Sequence, residues 1–324
     1  MALNVEQIDI NGQLRKGDDA FPLVYICRDS AVTLESACAW ATANSESMLE
    51  VARKHGASLF RGFGLKTAED FDAFVSAFGL PAFTYEDSLS NAVRVSRTPR
   101  VFTANEAPPH VQIFFHHEMA QTPYFPTRLF FFCELAAAKG GSTPICRSDW
   151  VWERLSAQYP IFGRDVAEKG LQYSNVMPGE TDMQSGMGRS WQSTLRSQTQ
   201  EAAEKRLADL NYTWQWQADG SLRATTPVLQ GVYDLPDGRR TFFNQLIAAF
   251  SGWKDARNDP SKAIRLGDGS ELNREAVLAA IEIAEELAFD IPWQAGDVAL
   301  VDNYVAMHGR RTFEGQRKVL AAMV

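Results

Sequence analysis

Cysteine and histidine are both scarce in this chain of 324 residues, which holds four of the first and five of the second. The cysteines (Cys27, Cys38, Cys133 and Cys146) are scattered and form no C-x-x-C pair. That spacing argues against a disulfide framework or a zinc knuckle and points to reduced thiols in the cytoplasm. Long apolar runs are missing too. Runs such as Leu129 to Cys133 are strand-sized, well short of the ~20 residues a membrane-spanning helix needs. The first residues lack the basic flank and apolar core of a secretory signal. Positive charge is the third deficit: 32 Lys and Arg stand against 40 Asp and Glu, a net charge of −8. Nucleic acid and anionic membranes are bound through basic surfaces, so neither is expected as a partner. No phosphate-cradling loop, nucleophile elbow or dinucleotide fingerprint is present.

What is present is an ordinary globular composition, 45% hydrophobic and 22% charged, enough for a large core. Residues 34–55 read as a helix stopped by Gly56, and Ala57–Gly64 as a strand and turn. Thr67 and Asp70 form a capping pair ahead of Phe71, Phe74, Val75 and Phe78, one helical stripe. From about residue 110 the texture is β-rich, with runs at 111–117, 127–133 and 140–146, and again at 212–217, 222–226, 231–235 and 240–244. Residues 180–200 read as a long polar loop, the natural lid. A helix spans about 272–289, and short strands follow at 297–301, 305–308 and 317–324. No repeat or linker divides the chain, so one domain over 1–324 is expected.

With only five histidines, any metal site draws on few residues. If 113–119 is a strand, His116 and Glu118 share one face and His117 takes the other. His308, at the end of a second β-run, is the third candidate. Two histidines and a carboxylate with open positions are the facial triad of non-haem Fe(II) oxygenases. Alone the His-x-Glu pattern is weak, and His/His/carboxylate sets also serve zinc hydrolases. A non-catalytic cupin-like binding protein is a further alternative. No H-E-x-x-H helix supports the hydrolase.

The accompanying segments carry more. They are Gly56-Ala-Ser-Leu-Phe-Arg-Gly-Phe63 with the helix after Thr67, Phe115-His-His-Glu118, and Gly140-Gly-Ser-Thr-Pro144. Trp293-x-x-Gly-Asp-Val-Ala-Leu-Val-Asp-Asn303, His308-Gly-Arg-Arg-x-Phe313 and Arg317 follow in order. With these, most of the chain resembles the taurine dioxygenase / clavaminate synthase-like family of Fe(II)- and 2-oxoglutarate-dependent oxygenases.

That resemblance implies an α+β fold: a double-stranded β-helix (jelly-roll, cupin-like) core with flanking and inserted helices. It implies Fe(II), 2-oxoglutarate and O2, with His116, Glu118 and His308 as the metal ligands. Thr143 falls where a threonine hydrogen-bonds the co-substrate, and Arg317 where an arginine clamps its far carboxylate. The taurine enzyme has a sulfonate-binding arginine four residues beyond the clamp. Here that position is Ala321, so taurine is not the expected substrate. Related halogenases carry a small residue where Glu118 stands, so hydroxylation of an unactivated C–H is expected, with release of succinate and CO2. The expected substrate is a small polar molecule, an amino acid either free or held on a carrier protein. Asn244 is a candidate substrate contact, with a structural turn hydrogen bond as the equal alternative. Arg310 and Arg311 are open between substrate binding and structural ion pairs, and the oligomeric state is open.

Overall fold

Apolar residues that alternate along the strands sort the molecule into layers. The structure is a computed structural model, and it describes residues 2–324 apart from 18, 85–87, 91, 186 and 254–262. A seven-stranded sheet runs in the order Val5–Ile8, Leu23–Cys27, Ala57–Arg61, Val298–Asp302, Arg128–Leu135, Lys318–Met323, Val101–Thr103. Only the pairing of Leu23–Cys27 with Ala57–Arg61 is parallel.

Side chains of successive strand residues point to opposite faces, and each face of this sheet has its own core. On one face Phe60, Phe130, Phe132, Val298 and Leu300 pack against the helices Leu34–His55 and Ala68–Ser76. On the other, Leu59, Leu129, Phe131, Ala299 and Val301 meet Ile145 and Phe289 of a smaller sheet. Both helices start where the sequence places them. Thr33 and Thr67 cap them, and Thr67 with Asp70 closes the expected reciprocal pair.

The smaller sheet runs Ala288–Ile291, Thr143–Arg147, Ala306–Arg310, Ile113–His116, all antiparallel. Cys146, Met307 and Phe115 face outward, where the helices Ser148–Gln158, Leu246–Gly252 and Arg274–Glu286 cover them. Ile145 and Ala306 face the large sheet. A third sheet, Thr213–Trp216, Leu222–Thr225, Leu171–Met177 and Ile264–Leu266, carries the helices Trp191–Leu195 and Gln200–Asp209.

Two local features differ from the sequence reading. The 180–200 segment is not all loop: Ser190 caps a short helix over Trp191–Leu195, and Thr199 caps the next. The strand carrying the first histidine stops at His116, and Glu118 lies in the turn that follows. Among the described residues no helix is long and apolar enough to cross a membrane.

Phe60 is fully buried and its ring neighbours Tyr25, Trp40, Phe63, Phe74 and Phe78. Phe60→Ala should cost about 3–5 kcal/mol of stability, read by urea unfolding. Metal affinity of the folded variant should be unchanged, because this core lies on the far face of the large sheet.

Candidate metal centre

His308 sits directly opposite His116 in the smaller sheet, and also pairs with Ile145. The alternation that turns Met307 toward the helices turns His308 inward, and the two imidazoles stand 4.3 Å apart between centroids. Glu118 Oε2 lies 3.5 Å from His308 Nε2 and 4.0 Å from His116 Nε2. One ligand atom from each of the three falls within 4.8 Å of the others. Bonds of roughly 2.1 Å to one ion put neighbouring donors about 3 Å apart, so side-chain shifts of about an ångström would close the three onto a metal.

Strand alternation does not bring Glu118 here, because the strand has already ended. Asn303 does. Its Oδ1 accepts from the Glu118 backbone N–H at 2.8 Å, and its Nδ2 donates to the Glu118 carbonyl at 3.0 Å and the Pro126 carbonyl at 2.8 Å. Met119 follows with φ of 59°, a left-handed conformation that is uncommon for a side-chain-bearing residue and turns the chain sharply. Sequence reading took Asn303 only as the last residue of the motif that starts at Trp293 and gave it no role, since its hold on the Glu118 N–H and carbonyl is a contact between distant segments.

The protonation states suit a divalent metal. His116 Nδ1 faces the Phe114 carbonyl at 2.8 Å, which leaves Nε2 for the ion. Burial, then His308, pushes the His116 pKa down to about 4, so the ring is neutral at pH 7. Burial alone would raise Glu118. Arg94, His308 and His116 outweigh it and hold the carboxyl well below its usual range. Arg94 was not anticipated: its Nη2 stands 3.0 Å from both Glu118 oxygens, with both side chains buried. His117 points away from the cluster, its Nδ1 on the Asn303 carbonyl and its ring against Phe243.

A cavity of about 150 Å³ opens over the three residues, and Thr143, Arg317, Arg94, Phe131 and Trp253 help line it. Thr143 Oγ1 accepts from Arg317 Nη2 at 3.1 Å and from Trp293 Nε1 at 3.0 Å. Arg317 Nε donates to the Gly141 carbonyl at 2.7 Å. A Cβ on Gly141 would lie 3.0 Å from Arg317 Cδ, at a φ of +70° that a side chain resists. Burial, then Arg310, lowers the Arg317 pKa to about 10, so it is still a cation. It has no carboxylate partner among the described residues. A dicarboxylate with one end on the metal is the chemistry this arginine fits.

The remaining candidates divide. Asn244 is fully buried, but its Nδ2 donates to the Gly231 carbonyl and its Oδ1 accepts from Leu246 N–H. It is committed to the backbone, and its neighbour Gln245 lines the cavity instead. Arg310 lines the cavity while donating to the carbonyls of Asn105, Pro108 and Val111. Arg311 pairs with Glu285 and Asp290, away from the cavity. Ala321 is buried in the core that also holds Phe131, and it brings no cation to the cavity.

Mn(II) at a hundred times its dissociation constant should add about 2.7 kcal/mol of stability to wild type and none to Glu118→Ala. Asn303→Ala should weaken Mn(II) by about tenfold or more, in line with other residues that orient a ligand. Urea unfolding with and without Mn(II) measures the first, and equilibrium dialysis with Mn(II) the second.

Comparison with known proteins matches this architecture. The family described as taurine catabolism dioxygenase TauD, TfdA family matches residues 19–323. A clavaminate synthase-like protein of Arabidopsis thaliana is 42% identical over 269 residues, 83% of this chain and 81% of that protein. The dapdiamide synthesis protein DdaC of Enterobacter agglomerans is 28% identical over 293 residues, 85% and 84% of the two chains. An asparagine oxygenase solved with Fe(II), 2S,3S-3-hydroxyasparagine and succinate superposes with a TM-score of 0.54 at 14% identity, covering 90% of this chain and 83% of the other. A family match over nearly the whole length, with a relative at 42% identity, makes this chain a member of the TauD/TfdA family, an oxidoreductase that works with Fe(II), 2-oxoglutarate and O2.

Proposed function

We propose that the protein hydroxylates an unactivated C–H of a small polar substrate, an amino acid either free or carrier-bound, within one catalytic domain spanning the chain. The balance is 2-oxoglutarate, O2 and R–H giving succinate, CO2 and R–OH. The observation that carries the reading is that His116, Glu118 and His308 share a cavity with the Thr143–Arg317 pair. On this reading the two facing sheets are the walls of a double-stranded β-helix, and the reaction takes place in the cytoplasm.

Each side chain has a task that its surroundings suit. His116, Glu118 and His308 would hold the iron, with the buried imidazole of His116 already neutral. Arg317 would take the far carboxylate of 2-oxoglutarate, and Thr143 would add a hydrogen bond. When bound, iron and 2-oxoglutarate supply the oxygen activation that no side chain can perform. Phe131, Phe114 and Trp253 keep the cavity largely apolar and limit water.

Size and charge bear on the substrate. At roughly 10–15 Å³ per water-sized occupant, a cavity of about 150 Å³ suits a small molecule. Arg94 beside the metal ligands offers a cation for a substrate carboxylate. DdaC acts in dapdiamide synthesis by its name, and the asparagine oxygenase holds a hydroxylated amino acid.

Titrating 2-oxoglutarate into Mn(II)-loaded protein tests the co-substrate assignment. Arg317→Ala should weaken binding by about a hundredfold or more, since breaking a buried ion pair costs roughly 3–5 kcal/mol. Thr143→Ala should cost only about 0.5–1.5 kcal/mol. Equal affinity in wild type and Arg317→Ala would refute the clamp.

A further inference from the structure

A second chamber lies beside the metal cavity, and Gln121 and Trp253 line both. It is formed where the strands Leu171–Met177 and Leu222–Thr225 and the helices Trp191–Leu195 and Gln200–Asp209 close over the segment that follows Glu118. Its volume is about 30 Å³.

Part of its polar lining is already engaged. The Tyr173 hydroxyl accepts from Gln245 N–H at 3.1 Å. Thr122 donates to the carbonyls of Met119 and Tyr124, and Thr226 donates to that of Pro227. Three groups are not engaged. Gln121 Oε1, Asn175 Nδ2 and Thr194 Oγ1 are buried with no hydrogen-bond partner, and Thr194 is only 2% exposed. Among the described residues no Asp, Glu, Lys, Arg or His lines the chamber.

An unpaired buried polar atom costs free energy, and folded proteins keep few of them. Here three side chains that line one small space next to the reaction cavity carry an unpaired acceptor, an unpaired donor and an unpaired hydroxyl, which can do either. Together they complement an amide, which presents a carbonyl and an N–H. A charged group would lose its hydration with no counter-ion, and a hydrocarbon would leave all three atoms unpaired. At roughly 10–15 Å³ per water-sized occupant, the chamber admits two or three heavy atoms, the size of one carboxamide.

We propose that this chamber receives an uncharged, amide-bearing arm of the substrate, while the reacting C–H lies in the metal cavity. Gln121, Asn175 and Thr194 then determine specificity, each meeting the ligand with an atom that no protein group satisfies. The proposal rests on the amino-acid oxygenase reading above and narrows it to amino acids with a neutral amide or ureido end.

The test uses full-length protein loaded with Mn(II) and 2-oxoglutarate. Calorimetry compares L-asparagine, L-glutamine and L-citrulline with L-aspartate, L-glutamate and L-norleucine. At least one amide should bind about tenfold or more tighter than its charged and hydrocarbon counterparts. Thr194→Val, a near-isosteric change, should reduce that advantage roughly 2- to 10-fold and leave Mn(II) and 2-oxoglutarate affinity unchanged. Asn175→Leu serves as the second variant if Thr194→Val does not fold. The proposal is overturned if no amide outbinds its counterparts, or if the advantage survives in the variants, which would leave the chamber holding ordered water only. Failure of the wild type to bind Mn(II) or 2-oxoglutarate would sink the oxygenase reading itself and is seen before any amino acid is added.

Discussion

The register between the strands Ile113–His116 and Ala306–Arg310 is the constraint on which the site depends. It sets His116 opposite His308, with both imidazoles facing the cavity. Side chains alternate along a strand, so a slip of one residue would turn His308 to the helices and Met307 to the cavity. The apolar pattern resists such a slip: Met307 and Cys146 pack among the helices, while Ala306 and Ile145 pack against the large sheet. The packing of both faces therefore fixes the metal site. Asn303 extends this control beyond the strand by holding the Glu118 backbone from the turn after Val298–Asp302.

Charge inside the cavity is arranged around ions that the protein does not itself supply. Glu118 is ionised against a large burial penalty because Arg94 and the two imidazoles favour its anion. Arg317 is a buried cation whose protein partners are a carbonyl and a hydroxyl, with no carboxylate among the described residues. With Fe(II) and the 2-oxoglutarate dianion added to Glu118, Arg317, Arg94 and Arg310, the formal charges sum to about +2. On the proposed reading, such a site would favour an anionic substrate group near Arg94 and neutral groups in the uncharged side chamber.

Much of this was legible in the sequence, for physical reasons. The 34–55 helix and the capped helix after Thr67 follow from local periodicity and capping, which need no tertiary information. His116, Glu118, His308, Thr143 and Arg317 stand in short motifs whose order carries the family resemblance. The roles of Arg94 and Asn303 were not legible, although Asn303 ends a quoted motif, because both act on Glu118, which is distant in sequence; Gln121 stands in no motif. Asn244 follows the second of its two readings, the turn hydrogen bond. A polar residue ending a Phe-rich run reads as pocket-facing, yet its amide satisfies the backbone of a turn. The strand-alternation argument for Glu118 placed the right residue near His116 for the wrong reason, since the turn and Asn303 position it.

The central claim is that this cavity assembles a chelate of Fe(II) and 2-oxoglutarate on His116, Glu118 and His308. The most direct measurement is the visible charge-transfer absorption of the anaerobic protein titrated with Fe(II) in the presence of excess 2-oxoglutarate. The expected result is a band that saturates at one iron per chain, is absent when Zn(II) replaces Fe(II), and is lost in His308→Ala. A wild-type protein that shows no band, or a His308→Ala protein that keeps it undiminished, would contradict the claim.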